Sequence, residues 1–521
     1  MTPHLVVGHC PMNLVMLTMD QQSYWIRRIF SVAVCHKRRP TGTKPSSPVS
    51  PRSLGANTAM ETGSAKLAAV TSLVDKLTQD LDSVNLLPQQ RDAALEELKI
   101  YGRDPRNADP IFTKKGIEML TKHAFNSPSS STARNALRCL CNALLLKKEC
   151  RQMVVDLDFE AKACNKLKSD NVDDEFLISR ILFLTTYDTD LKLDRLLDEH
   201  HLAESINRNL ERHAKRYGDG KSVTDPMATL ALTETTKLLF NVTHYCKEKT
   251  GLFTPAIPHI VSILCRGNLE VDNPLDPPVG SLVNALLNLD LEAKEIRSSL
   301  YPSAEPTMLP DRLFFLLDKS RTKYTAEELE STVTPLLSVM RAVHQYAPPE
   351  VRASMRQKLL PTEDDRKEAL GRSGSLPSWL LQNSTNPLAP SLRSTISDLL
   401  FDLSDNDASK FVENVGYGFA SGFLFNRNIP VPENATEAFS NANQGGDRPV
   451  NPVTGQFLDL ERHTEESEMT EEEREREAER LLVLFQRLQA NGLISVENPL
   501  RTAVEQGRFE ELPDDYQEDL D

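Results

Sequence analysis

The sequence predicts an all-α chain built as a helical solenoid of armadillo/HEAT type, with a flexible C-terminal extension carrying one more helix. Three observations lead there. The chain has 521 residues, too many for one hydrophobic core. Apolar residues make up 39% and aromatics only 6%, with two Trp and ten Tyr, sparse for an all-β protein of this length. Leu, Ala, Glu and Lys, all good helix formers, abound. The third observation is an internal repeat, which decides the fold.

Residues 1–59 carry seven basic side chains, Arg27, Arg28, Lys37, Arg38, Arg39, Lys44 and Arg52, against one acid, Asp20. That is +6 in a chain of net charge −15, so residues 60–521 carry −21. The stretch is expected to be a disordered or doubtful extension, the latter with Met60 as the working start, while its Arg-rich, acid-poor character also allows a transit peptide. Its Pro, Ser and Arg content after Lys37 cannot build a core. The apolar run Leu5–Leu17 is broken by Gly8, His9, Pro11 and Asn13 and lacks a basic flank, unlike a secretory signal.

From Ala65 the text turns helical, with Leu67, Val70, Val74, Leu77 and Leu81 at three- and four-residue steps. Pro88 stands near the start of the next helix, and Gly102 near its end. The repeat then shows in Ala136–Asn142, Ile178–Leu184, Thr235–Asn241 and Leu282–Asn288, with a looser copy at Val339–Gln345. Their ends are 42, 57, 47 and 57 residues apart, near the ~40–47 of armadillo and HEAT units. Tyr217–Asp225 and Asn268–Gly280 read as insertions. Residues 65–403 would hold roughly seven or eight units at that period. The expected domains are a solenoid over 60–425, a linker over 426–468, an amphipathic helix over 469–495 and an acidic tail over 496–521. Thr470–Glu473 reads as a capping box opening that helix.

No catalytic motif stands out. Gly218-Asp-Gly-Lys-Ser222 lacks the first glycine of a phosphate loop, since Lys215 occupies that position. Gly416-x-Gly418-x-x-x-Gly422 has one residue too many for a dinucleotide fingerprint and reads as a close-packed backbone segment. The eight cysteines form no C-x-x-C pair; Cys139 and Cys141 fit buried thiols. No metal or cofactor is expected. The acidic balance argues against a nucleic-acid surface, and no apolar run reaches the ~20 residues of a membrane span. A cytoplasmic monomer is expected.

Function is therefore sought in a binding face. Four residues before each repeat end stand Arg138, Arg180, Lys237, Asn284 and Arg341; at the ends stand Asn142, Leu184, Asn241, Asn288 and Gln345. Residues i and i+4 share a helix face, so stacked units would align these side chains into a polar, often basic stripe. Such a stripe suits a peptide bearing carboxylates.

Leu137-Arg-Cys-Leu-Cys-Asn142, Leu238-Leu-Phe-Asn-Val-Thr243, Asn284-Ala-Leu-Leu-Asn-Leu289 and Val415-Gly-Tyr-Gly-Phe419 resemble the synembryn family. So does Val450-Asn-Pro-Val-Thr-Gly455, followed by Met469-Thr-Glu-Glu-Glu473. The resemblance spans about residues 65–505. It implies an armadillo/HEAT solenoid that binds heterotrimeric G-protein α subunits (Gα), assists their folding and acts as a receptor-independent guanine-nucleotide exchange factor. It also implies that the concave groove takes the Gα C-terminal helix, and that the C-terminal region meets the Gα nucleotide-binding domain. Lys99-Ile-Tyr-Gly-Arg-Asp104 resembles the family segment whose basic residues meet the Gα tail, which nominates Lys99 and Arg103. Tyr417, Phe419 and Phe485 are nominated for the C-terminal contact, although Phe419 departs from the small or polar residue expected there. Asn441–Pro449 lacks the acidic phosphorylation cluster of animal members. Association with Gα would bring the chain to the cell cortex. The alternative is an armadillo-type adaptor that binds a peptide motif without exchange activity.

Overall fold

The computed structural model describes residues 62–218, 225–267, 272–430 and 448–461, with position 476. The extension 1–59, Phe485 and the tail 496–521 lie outside the described residues, as does all of the helix expected over 469–495 except that one position. The helices below belong to the unit that runs to Asp459.

Helix α1 (Gly63–Ser83) buries Val70, Val74 and Leu77, one apolar stripe at helical spacing. Helix α2 (Pro88–Tyr101) opens on proline, whose missing N–H costs nothing in the first turn. Helices α3 (Lys114–Asn126) and α4 (Ser130–Leu146) are capped by the Thr113 and Ser129 side chains. The short α5 (Glu149–Val155) and α6 (Glu160–Leu167) lead to α7 (Val172–Thr185). Asn171 caps α7, and Asp173, Asp174 and Glu175 fill its first turn, where the helix dipole favours negative charge. Next come α8 (Leu193–Asp198), α9 (Leu202–Gly218), α10 (Pro226–Tyr245), α11 (Ala256–Arg266) and α12 (Val279–Leu287). A single turn α13 (Arg297–Leu300) precedes α14 (Met308–Ser320) and α15 (Ala326–Tyr346), which the Thr325/Glu328 capping box opens. The chain continues through α16 (Pro349–Leu359), α17 (Leu376–Asn383), α18 (Pro390–Leu403), α19 (Ala408–Val415) and α20 (Tyr417–Asn426).

Seven of these helices, α2, α4, α7, α10, α12, α15 and α18, form a row in which each packs on the next. Every repeat segment read from the sequence lies on this row. A second layer backs it, in which α1 packs on α3, and α11 joins α9 to α14. One core runs unbroken from Val70 to Leu424, because no single unit can bury its apolar face alone. The units also cap one another: both carboxylate oxygens of Glu330 on α15 accept, at 2.9 Å, from the Ser391 and Leu392 amides that open α18. Among the described residues no strand forms; Val450 and Phe457 make an isolated bridge. No described helix is long and apolar enough to cross a membrane.

Within the segment read as a linker, residues 448–459 dock on the last helices of this unit. Their Asn, Pro and Gly content suits a linker by composition, but here it builds tight backbone turns.

Candidate functional site

Row helices α4, α7, α10, α12 and α15 are buried on nearly every side. On α7 the residues left partly open include Asp173, Phe176, Arg180, Phe183 and, just past the end, Tyr187; on α15 they include Ser338, Arg341, Ala342 and Gln345. These spacings of three and four define one open stripe per helix, and the ladder residues Arg138, Arg180, Lys237, Asn284 and Arg341 all sit on it. The row brings them together as neighbours.

The cations on that stripe are already engaged. Arg138 meets Asp173 of α7 at 3.1 Å, Arg180 meets Glu234 of α10 at 3.1 Å, and Arg341 meets Asp398 and Asp402 of α18 at 3.0 and 2.8 Å. Each bridge runs forward to the next helix of the row, to an acid that no i,i+4 rule would find. Lys237 pairs within α10, with Glu234 at 2.9 Å. Burial alone would push the Glu234 carboxyl up, but Lys237 and Arg180 together hold it below its ordinary value.

The amides run the other way. Asn142 Nδ2 donates to the Lys99 carbonyl of α2 at 3.4 Å, and Asn288 Nδ2 to the Phe240 carbonyl of α10 at 3.0 Å. Asn241 Nδ2 donates to Thr186 Oγ1 after α7 at 2.7 Å. Asn241 is 3% exposed, so it serves the joint rather than the surface. Asn284 is half-buried on α12. The ladder is thus a two-way set of links between repeats, its arginines reaching forward and Asn142, Asn241 and Asn288 backward.

What lies open between these links is partly aromatic. Phe183 meets Tyr187 edge-on at 5.2 Å, Phe240 stacks with His244 at 6.2 Å, and Lys237 sits 5.7 Å over the Phe183 ring. Sequence reasoning missed these rings. The available signal was that Phe183 and Phe240 each directly precede a repeat end.

At the N-terminal end of the row Lys99 pairs with Glu96 at 2.6 Å, whereas Arg103, just beyond α2, is exposed. Among the described residues no ion pair holds its guanidinium. Behind the row Glu175 is fully buried and accepts from His213 Nε2 (2.9 Å), Arg212 (2.6 Å) and Thr235 Oγ1 (2.8 Å). It thereby ties α7 to α9 and α10. Cys139 and Cys141 are buried in the row, and burial pushes both thiols up to about 12.

At the other end the loop 448–459 closes on α20. Tyr417 N donates to the Pro452 carbonyl at 2.9 Å and Gly418 N to the Val453 carbonyl at 3.1 Å, so two orphan amides of a helix start find partners. Leu370 N donates to the Thr454 carbonyl at 3.0 Å. Arg366 anchors the loop: its guanidinium donates to the Gly455 carbonyl at 3.0 Å and the Glu413 carbonyl at 2.9 Å, while its own carbonyl accepts from Phe457 N. Gly416 and Gly455 have φ of +80° and +69°, the left-handed region that favours glycine. A Cβ on Gly455 would also stand 2.3 Å from Leu370 Cδ1. Tyr417 and Phe419 pack against the core, and the Phe419 ring lies over Gly371, where an added Cβ would come within 2.9 Å of Cζ. Both are half-buried; Phe425, further along α20, is 78% exposed.

The family described as guanine nucleotide exchange factor synembryn matches residues 94–508. The chain belongs to the synembryn family. A synembryn-like chaperone of Schizosaccharomyces pombe is 26% identical over 361 residues, covering 65% of this chain and 66% of that protein. Chaperone Ric-8A of Xenopus tropicalis is 25% identical over 493 residues, covering 84% and 87%, and that of Macaca fascicularis 24% over 455 residues, covering 78% and 83%. A designed armadillo repeat protein is 13% identical with a TM-score of 0.37, covering 52% of this chain and 99% of that one. Synembryns are thus named as chaperones and exchange factors, which act by binding. Every candidate residue from Lys99 to Phe485 falls within the family match.

Proposed function

We propose that the chain binds heterotrimeric G-protein α subunits, assists their folding, and promotes GDP release as a receptor-independent exchange factor by stabilising nucleotide-free Gα. The observation that supports this reading, beside family membership, is the open stripe shared by the adjoining helices α4, α7, α10, α12 and α15, with an exposed Arg103 at the N-terminal end of the row that forms no ion pair among the described residues. A row of that kind offers a helix-sized trough with half-open rings for apolar contact and a cation for a terminal carboxylate.

The contact set is Lys99, Arg103, Arg138, Asn142, Arg180, Lys237, Asn284, Asn288 and Arg341, with Phe183 and Phe240 added. Asn241, being buried, supports the set from below. Because the ladder cations already hold acids, the ladder contributes a shaped, charge-balanced floor, and Arg103 supplies the net positive charge. Exchange then needs only higher affinity for the Gα state whose C-terminal helix is displaced, since a ligand shifts an equilibrium by its differential affinity. No acid, base or nucleophile enters.

Release of a fluorescent GDP analogue from purified Gα tests the proposal. Acceleration by the chain is expected; binding without acceleration would favour the adaptor reading instead. Arg103→Ala and Asn142→Ala should each weaken binding of a Gα C-terminal helix peptide, and unchanged affinity in both would remove the groove assignment.

A further inference from the structure

Arg103 lies in a loop with an unusual support. Lys66, on α1, is only 6% exposed, yet among the described residues its ammonium forms no ion pair. It donates to two main-chain carbonyls of one loop, Asp104 at 2.8 Å and Arg106 at 2.7 Å. A buried ammonium spent on carbonyls is costly unless the geometry it holds is needed.

The rest of the loop is tied as well. Gly102 N donates to the Leu98 carbonyl at 2.8 Å and Arg103 N to the Ile100 carbonyl at 3.3 Å, which fixes the backbone entering Arg103. The Asp104 carboxylate accepts from the Arg106 guanidinium at 2.7 and 3.0 Å and from the Arg106 amide at 3.0 Å. That fork occupies the acid nearest Arg103, so Asp104 does not neutralise it; Arg106 holds the Asp104 carboxyl down at about 2. Lys66 acts at the remaining freedom, the carbonyls immediately after Arg103. Together these contacts hold the Arg103 Cα still while its side chain stands in solvent.

The geometry points to Lys66 as a positioning residue that pre-organises Arg103 for the carboxylate-bearing end of a bound helix. The inference rests on the proposed function in taking Arg103 as a contact. Lys66 itself stays behind the loop and touches no partner. A guanidinium whose backbone is fixed loses less freedom on binding than one on a mobile loop. Removing the clamp therefore weakens binding without removing any contact.

The test uses the full chain and a synthetic peptide of the Gα C-terminal helix. Lys66→Met keeps the aliphatic stem and loses the donors; Lys66→Arg keeps a cation able to reach carbonyls. Lys66→Met should weaken peptide binding roughly tenfold, Lys66→Arg should restore most of that loss, and in an Arg103→Ala background Lys66→Met should have no further effect. Amide hydrogen exchange should rise at residues 103–108 and stay unchanged in α4, which guards against a general loss of folding. If Lys66→Met costs the same with and without Arg103, or if exchange at 103–108 does not move, the positioning role is overturned while the groove reading stands. If Arg103→Ala leaves affinity unchanged, the positioning role falls, and the groove reading falls with it if Asn142→Ala is also without effect.

Discussion

Replacing Gly455 with alanine should undock the C-terminal loop while leaving the solenoid folded. Gly455 has φ +69°, and its missing Cβ leaves room for Leu370, whose Cδ1 and Cγ would otherwise stand 2.3 and 2.7 Å away. A left-handed conformation costs an L-residue about 1–2 kcal/mol. Crowding a well-packed contact adds roughly 1–3 kcal/mol, less where the leucine can turn aside. The docked state should lose about 2–5 kcal/mol, or roughly 30- to 4,000-fold in the opening equilibrium. Three amides report it directly: Tyr417, Gly418 and Leu370, which donate to Pro452, Val453 and Thr454. Their exchange, read by mass spectrometry on peptides covering 365–375 and 415–422, should accelerate by that factor, while peptides from α4 and α10 keep their protection. Gly374→Ala is the control, because nothing lies within 4 Å of an added Cβ there. Equal protection of the three amides in Gly455→Ala and the parent would refute the account of the loop as a cap on α20.

Arg103→Ala should weaken Gα peptide binding about tenfold, within the range of a charge-assisted hydrogen bond, with no change in melting temperature; isothermal titration checks both the affinity and its expected weakening in salt. Glu175→Gln should cost about 3 kcal/mol in urea unfolding, since it leaves Arg212 and His213 facing a neutral amide. Burial raises the Glu175 carboxyl, but His213, Thr235 and Arg212 outweigh it and hold it below its ordinary value. Its stabilisation is therefore complete above the ordinary carboxyl range and lost as pH falls through the lowered folded value. The acid limb of the stability profile should be shallower in Glu175→Gln; parallel limbs would count against this. Glu234→Gln strips the shared acid from Arg180 and Lys237 and should destabilise the joint between α7 and α10 by about 3 kcal/mol, visible as faster exchange in α10 before α2.

The row was legible in the sequence because its helices must hide almost every face. Ala136–Asn142 and Leu282–Asn288 show apolar residues nearly all round, interrupted only where the stripe opens. The partners of the stripe were not legible. Arg138 and Asp173 are 35 residues apart, and Arg341 and Asp402 are 61 apart, so the pairing depends on which helices stack and at what height, not on any local period. A basic stripe was expected, and the stacking supplies the acids that balance it. The loop 448–459 was illegible for another reason. Its affinity for α20 lies in backbone carbonyls and in the absence of side chains at Gly416 and Gly455, and neither leaves an apolar pattern. Tyr417 and Phe419, nominated as contacts, pack against the core and stay half-buried.

The opposed directions of the interhelical links make the repeats individually addressed. Arg138 fits only a neighbour with an acid in its first turn, and Asn288 fits only one whose carbonyl is open at Phe240. Copying a unit in tandem, or cutting one out, would strand a charge at one seam and an amide at the other. Chimaeras of this array should therefore tolerate exchange of whole blocks cut where no such link crosses, and reject shuffled single units. The order of the units is encoded in their joints.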